Sequence, residues 1–202
     1  LLSLRDWGRD CSCPSGVDNK CGNRFDGQYG ELPYGYDHKY VYSHFGYNLK
    51  ITDMQAAVGC AQLEKLEDFI QARIENWNYL RKELETLSDV LILPEATENS
   101  KPSWFGFLMS VKEGTSFTRD EIVKHLEDNN IQTRTLFAGN LIKHPCFDNM
   151  RKNQSGYRQI GNLSQTNYIM NNTFWIGVYP GMTKEMLDYM IKSMKEFVKL
   201  HK

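Results

Sequence analysis

The sequence of residues 52–87 is TDMQAAVGCAQLEKLEDFIQARIENWNYLRKELETL. Thr52 and Gln55 have the spacing of a capping box, which begins a helix. Apolar residues then recur at helical spacing as far as Leu87, at positions 54, 57, 58, 61, 66, 69, 70, 77, 80, 84 and 87. This pattern predicts a short helix followed, from about Glu64, by a longer one, or one bent helix. We expect the longer part to be the spine against which a sheet packs.

The rest of the chain alternates short apolar segments with amphipathic ones. The apolar segments predict four strands, at residues 90–93, 104–111, 131–137 and 174–178. The amphipathic segments predict helices at residues 118–129, at 157–170 with an interruption near Gly161, and at 183–199, with a loop over 138–155. The order predicts an α+β fold, in which a small, mainly antiparallel sheet packs on the long helix and further helices lie on one side.

Composition restricts the classes of partner. The chain has 202 residues and a net charge of -1, from 24 Lys and Arg against 25 Asp and Glu. This balance gives no basic excess for nucleic acid or an anionic membrane surface, and no apolar run predicts a membrane span. Five cysteines, odd in number and clustered, argue against a disulfide scaffold and favour a reducing cytoplasm. We predict a cysteine- and tyrosine-rich segment over 1–51 and a small domain over 52–202.

A cysteine-rich stretch, CSCPSGVDNKC, places Cys11, Cys13 and Cys21 in a segment with almost no apolar residues. A disulfide would leave one cysteine over. A zinc site needs a fourth ligand, for which His38 or His44 is available. An iron–sulfur cluster also needs a fourth ligand, normally another thiolate. Three unpaired surface thiols are the remaining alternative.

Residues 1–50 as a whole are polar and aromatic and have no helical or strand periodicity, and their tyrosines cluster among glycines between positions 29 and 47. This composition predicts a long ordered loop or a pair of short strands. A loop of this length is usually functional or anchored on a partner. Tyrosine suits an interface, since its ring packs while its hydroxyl remains solvated. We therefore expect the segment to pack on another domain or a second subunit, with an ordinary tyrosine-rich hairpin as the alternative.

The stretch Gly46–Ala57, GYNLKITDMQAA, resembles the G-Y-N-x-[RK]-x-T-[DE]-x-Q-A-A signature of the nucleotide-sugar aminotransferase and dehydratase family. Members of that family are vitamin B6 enzymes of the aspartate-aminotransferase fold. Residues 118–142 and 173–199 also resemble its C-terminal domain. The resemblance implies pyridoxal phosphate or pyridoxamine phosphate as cofactor, a nucleotide-sugar substrate and a homodimer with a shared active site.

The C-x-C-x7-C spacing, with RDWGRDC from Arg5 and LPYGYDHKY from Leu32, resembles one branch of that family. That branch removes the C3 hydroxyl of a CDP-4-keto-6-deoxyhexose in 3,6-dideoxysugar and O-antigen biosynthesis. The resemblance implies pyridoxamine phosphate, a histidine in place of the Schiff-base lysine, and a reductase that donates electrons. It also implies a [2Fe–2S] cluster on Cys11, Cys13, Cys21 and a fourth cysteine.

The resemblance further implies that the fourth cysteine, the catalytic base and the large cofactor-binding domain precede Leu1. We therefore expect no catalytic residue in this chain and no activity from it alone. Two alternatives remain open. The chain could be the C-terminal domain of a sugar aminotransferase with an incidental cysteine loop, or a small zinc-binding interaction module.

Four further residues are candidates for binding. Asn48 matches the family asparagine that reaches across the dimer to the cofactor phosphate. The alternative is that Asn48 only forms a local turn or caps the helix. Lys50 would add charge nearby or is only solvated. Arg134 would bind the substrate diphosphate, and the alternative is that it forms a structural ion pair. His44 would contact substrate or act in acid–base chemistry, and the alternative is that it only forms hydrogen bonds within the loop.

Overall fold

The computed structural model describes residues 1–14 and 16–202. The chain divides into two compact units, Leu1–Glu64 and Lys65–Lys202, here called unit 1 and unit 2. The division falls after the first helix of the stretch 52–87. The predicted segments 1–51 and 52–202 stay a prediction about domains.

Residues 1–50 of unit 1 are mostly loop, as their lack of periodicity predicts. It contains helix α1 (Leu2–Arg5), a 3-10 turn (His38–Tyr40) and helix α2 (Asp53–Leu63). The predicted capping box begins α2: Thr52 accepts a hydrogen bond from the Gln55 backbone, and its own backbone N–H donates to the Gln55 side chain.

The surface of unit 1 is rich in apolar groups. Among the described residues of unit 1, Val41 is the single buried hydrophobic residue. Large apolar side chains are exposed along the loops and along α2, including Phe45 at 101%, Tyr47 at 72% and Met54 at 80%. So much exposed apolar area is typical of a surface that packs on a partner.

Unit 2 contains a sheet whose strands are β1 (Leu91–Ile92), β2 (Gly106–Val111), β3 (Thr133–Thr135) and β4 (Thr173–Gly177). The spatial order is β1-β2-β4-β3, and every pair is antiparallel. In the central pair, Phe107 lies opposite Ile176 and Met109 opposite Phe174. All four side chains are buried, so alternate residues of both strands share one apolar face.

Three long helices complete the core of unit 2: α3 (Leu66–Glu83), α4 (Arg119–Asp128) and α7 (Lys184–Leu200). The helix α3 contacts β2 and α7, while α4 contacts β3, β4 and α7. Leu80 of α3 is fully buried, and Trp77 one turn earlier stacks on Trp104 with ring centroids 4.3 Å apart. The α+β fold with a small antiparallel sheet and the long helix beneath it is confirmed.

The strands β1 and β3 are shorter than predicted, and two further segments differ from the prediction in their helices. The loop predicted over 138–155 contains 3-10 turns at Leu141–Lys143 and Pro145–Phe147 and the short helix α5 (Asp148–Asn153). The helix predicted over 157–170 is α6 (Ser164–Asn172) instead. It starts late because Gly161 (φ 70°) and Leu163 (φ 54°) are left-handed, which a right-handed helix excludes.

The helix α6 contacts β2 and β4, and its Tyr168 hydroxyl donates to the Val111 carbonyl at 2.9 Å. Across residues 1–14 and 16–202, no helix has the length and hydropathy needed to span a bilayer.

Candidate functional site

A cavity of about 680 Å³ in unit 1 is lined by all three cysteines of the C-x-C-x7-C stretch. Arg9, Asp10, His38 and Lys50 line the same cavity. Cys11 and Cys13 are partly buried, Cys21 is exposed, and all three are free thiols. The structure therefore brings the predicted metal-ligating residues to one cavity, together with one predicted cofactor-binding residue.

The three thiols influence one another. The backbone N–H of Cys21, together with the Cys11 thiol, lowers the pKa of the Cys13 thiol. The backbone N–H of Cys13 acts to lower the pKa of Cys11, but burial and the two neighbouring thiols outweigh it, and the pKa is raised. Backbone N–H groups directed at sulfur favour the thiolate, the form that binds metal.

Three cysteine sulfurs that line one cavity fit a [2Fe–2S] cluster or zinc by their donor chemistry, because deprotonated thiols are soft ligands. In the described part of the chain, however, no three His, Cys, Asp or Glu side chains form an assembled ligand group. The assignment of Cys11, Cys13 and Cys21 as metal ligands therefore stays a prediction, with a fourth ligand still needed.

His38 lies beside the cysteines in a hydrogen-bonded network that the sequence did not predict. Its Nδ1 is 3.8 Å from the Cys21 sulfur, and its Nε2 is 2.7 Å from the Asp10 carboxylate. The Ser43 hydroxyl donates to the other Asp10 oxygen at 2.6 Å, and the ring stacks on Tyr29. The Ser43 hydrogen bond, followed by that of His38, lowers the pKa of Asp10. The network fixes the imidazole against Cys21.

A second network attaches the cysteine stretch to the residues that follow it. Arg24 donates to both oxygens of Asp37, at 2.8 and 3.1 Å, and lies 3.4 Å from Asp18. Lys39 donates to Asp18 at 2.7 Å. Lys39 and then Arg24 lower the pKa of Asp18, which lies between Cys13 and Cys21 in the sequence. The sequence shows acidic and basic residues mixed over 18–39, but nothing in their spacing predicts which of them pair.

Asn48 has the left-handed backbone conformation, with φ 50°, which asparagine tolerates better than most residues. Its backbone N–H donates to the Asp6 carbonyl at 2.6 Å, and the neighbouring Tyr47 donates to Leu4. Thr52, not Asn48, caps α2. Among the described residues the Asn48 side chain has no hydrogen-bond partner and is exposed, so it is free to meet a ligand.

The other two predicted binding residues lie apart in the sequence. His44 in unit 1 is exposed, and its backbone N–H donates to Gly8. Arg134 lies in β3 of unit 2, is exposed, and donates to the Thr133 carbonyl at 2.9 Å. Within the described ranges Arg134 forms no ion pair, so the structural ion pair considered above is not observed there. The roles of both residues stay predictions.

Comparison with known proteins gives a consistent result. The model of the DegT/DnrJ/EryC1/StrS aminotransferase family matches residues 29–195. The chain is 56% identical over 201 residues to the lipopolysaccharide biosynthesis protein RfbH of Salmonella typhimurium, covering 100% of this chain and 45% of that protein. It is 51% identical over 198 residues to a dTDP-4-dehydro-2,6-dideoxy-D-glucose 3-dehydratase of Saccharopolyspora spinosa, covering 98% and 42%.

A solved structure agrees with the fold. An E. coli GDP-4-keto-6-deoxy-D-mannose-3-dehydratase with bound hydrated PLP superposes with a TM-score of 0.64 at 24% identity. The match covers 78% of this chain and 39% of that one. The chain thus spans less than half the length of each relative described here.

Proposed function

Because this chain belongs to the DegT/DnrJ/EryC1/StrS aminotransferase family, we propose that it supplies the C-terminal portion of a B6-dependent nucleotide-sugar 3-dehydratase. Its substrate would be a CDP-4-keto-6-deoxyhexose, and its pathway 3,6-dideoxysugar and lipopolysaccharide O-antigen biosynthesis in the cytoplasm. The observation that carries the proposal is the cavity lined by Cys11, Cys13 and Cys21. The name of the 51% identical relative supports removal of the C3 hydroxyl.

The cysteines distinguish this proposal from a sugar aminotransferase. A transaminase exchanges an amine without single electrons and has no use for a thiolate cluster. A dehydratase that ends in a deoxygenated sugar needs a reductant. When bound, pyridoxamine phosphate would supply the amine and the electron sink, and a [2Fe–2S] cluster would relay electrons from a reductase. Cys11, Cys13 and Cys21 would hold that cluster, with a fourth ligand from elsewhere in the enzyme.

The remaining candidate residues would bind rather than react. Asn48 would donate its side-chain amide to the cofactor phosphate of the second subunit, since its amide is exposed and unpartnered among the described residues. Lys50 would add positive charge beside the cavity. Arg134, which has no carboxylate partner in the described ranges, would bind the substrate diphosphate, and His44 would contact the sugar.

Metal analysis of the full-length enzyme, purified without oxygen, tests the proposal. Iron and acid-labile sulfide in equal amounts, with visible absorbance, are expected. Changing Cys11, Cys13 or Cys21 to serine should abolish the absorbance. The matched controls are Cys60→Ser and Cys146→Ser, because both thiols are exposed and lie outside the cysteine stretch.

Two results would contradict the proposal. If the protein contains one equivalent of zinc and loses it when His38 is changed, the result favours the zinc-binding module. His38 is the residue to change because its Nδ1 lies 3.8 Å from the Cys21 sulfur. A colourless, metal-free protein with transaminase activity would favour the aminotransferase.

A further inference from the structure

Arg9 lines the cysteine cavity and is held by aromatic rings. Its guanidinium carbon lies 5.0 Å from the centroid of the Trp7 ring and 5.8 Å from the rings of Tyr40 and Tyr42. Its Nε is buried without a hydrogen-bond partner among the described residues. Such cation–π contacts orient a guanidinium but do not neutralise its charge.

The backbone also fixes Arg9. An isolated antiparallel bridge pairs Arg9 with Tyr42, and the adjacent Asp10 N–H donates to the Val41 carbonyl at 2.9 Å. Val41 is itself buried. Arg9 is therefore attached to an ordered part of unit 1, two residues before Cys11.

Among the described residues, Arg9 differs from the other arginines of the cavity in having no acidic partner. Arg5 pairs with Asp6 at 3.2 Å, and Arg24 pairs with Asp37 at 2.8 Å. No carboxylate within residues 1–14 and 16–202 pairs with Arg9. A partly buried guanidinium without an acidic partner is costly. An anionic occupant of the cavity would offset that cost.

We propose that Arg9 is the fixed counter-charge of the thiolate-bound iron–sulfur cluster and raises its reduction potential. The inference rests on the proposed function. Thiolate and sulfide make such a cluster anionic, and reduction adds one further negative charge. A cation fixed at the same cavity therefore favours the reduced form, since net charge around a cluster is one determinant of its potential.

The first test measures the charge without the cluster. Metal-free protein is alkylated with iodoacetate, an anion, or with neutral iodoacetamide, and the rates at Cys11, Cys13 and Cys21 are read by mass spectrometry. The ratio of the two rates cancels the intrinsic reactivity of each thiol. Removing one nearby positive charge in Arg9→Gln should lower the ratio by about two- to fivefold. Arg9→Lys should keep it.

The second test measures the potential in the cluster-loaded, full-length enzyme by spectroscopic redox titration. At a fixed solution potential, Arg9→Gln should lower the ratio of reduced to oxidised cluster by about three- to tenfold. This change corresponds to a reduction potential lower by about 28–59 mV for a one-electron couple. Arg9→Lys should stay near the wild type. Arg5→Gln is the matched control, because Arg5 lines the same cavity but is already paired.

The outcomes separate the two proposals. An unchanged alkylation ratio, an unchanged potential, or equal shifts in Arg9→Gln and Arg9→Lys would overturn the role of Arg9. Wild-type protein without iron would overturn the proposed function, whatever the alkylation ratio shows about the charge.

Discussion

Asn48 gives the sharpest prediction about cofactor binding, because the structure separates its side chain from its backbone. Its left-handed φ of 50° and its hydrogen bond to the Asp6 carbonyl belong to the backbone. Its amide is exposed and, in the described part of the chain, unpartnered. Glycine accepts the left-handed conformation without steric cost. Asn48→Gly therefore removes the amide and keeps the turn.

The magnitudes follow from these two roles. A hydrogen bond to a charged phosphate contributes roughly 1.5–3 kcal/mol, so Asn48→Gly should weaken pyridoxamine phosphate binding by about ten- to a hundredfold. Asn48→Ala should lose the same affinity and in addition destabilise the fold by about 1–2 kcal/mol, because alanine is strained at positive φ. Glycine should cost less than about 1 kcal/mol of stability.

Two assays distinguish the roles. Cofactor titration of the full-length enzyme gives the dissociation constant, and urea unfolding gives the stability. Asn99→Gly is the matched control, because Asn99 is also exposed and left-handed, with φ 61°, but lies in unit 2. Wild-type cofactor affinity in Asn48→Gly, with a stability loss only in Asn48→Ala, would show that Asn48 is a turn residue alone.

Two further predictions concern the fold of each unit. Leu80→Ala should lower the free energy of unfolding by about 2–5 kcal/mol in urea titrations, because Leu80 is fully buried beneath the sheet. Leu66→Ala, at a position 44% exposed, should change it by less than about 1 kcal/mol. Equal effects of the two substitutions would show that Leu80 is not part of the core. Lys39 and Arg24 lower the pKa of Asp18, so their stabilisation of the cysteine stretch is complete above the unfolded-state pKa and disappears as the pH falls through the lower folded-state pKa. The rate of amide hydrogen exchange in residues 16–21, corrected for its intrinsic pH dependence, should rise over that acid range. An identical rise in Asp18→Asn would show that the ion pairs of Asp18 do not stabilise the stretch.

The fold was largely predictable because its signals are local. Capping boxes at Thr52 and Thr118 and the helical spacing through Leu80 specify the helices, and α2 and α4 begin where predicted. The late start of α6 was not predictable, because its cause is a pair of left-handed residues, one of them Leu163. Nothing in a leucine indicates positive φ without its tertiary surroundings.

For the candidate site, the sequence predicts residue types but not the surroundings in which the structure places them. The spacing of the cysteines identified Cys11, Cys13 and Cys21, and the structure places all three around one cavity. Their neighbours Arg9 and Asp10 gave no such signal, since the contacts of Asp10 come from residues 28 and 33 positions later. Long-range contacts of this kind follow from loop packing rather than from any sequence period.

Product analysis tests the central claim most directly. The full-length enzyme is incubated with a CDP-4-keto-6-deoxyhexose, pyridoxamine phosphate and an electron donor, and the sugar is examined by mass spectrometry. We expect a product that has lost the C3 oxygen, in amounts that depend on the electron donor and on Cys11, Cys13 and Cys21. A product that carries an amine at C4 and keeps its C3 hydroxyl, formed equally well without those cysteines, would contradict it.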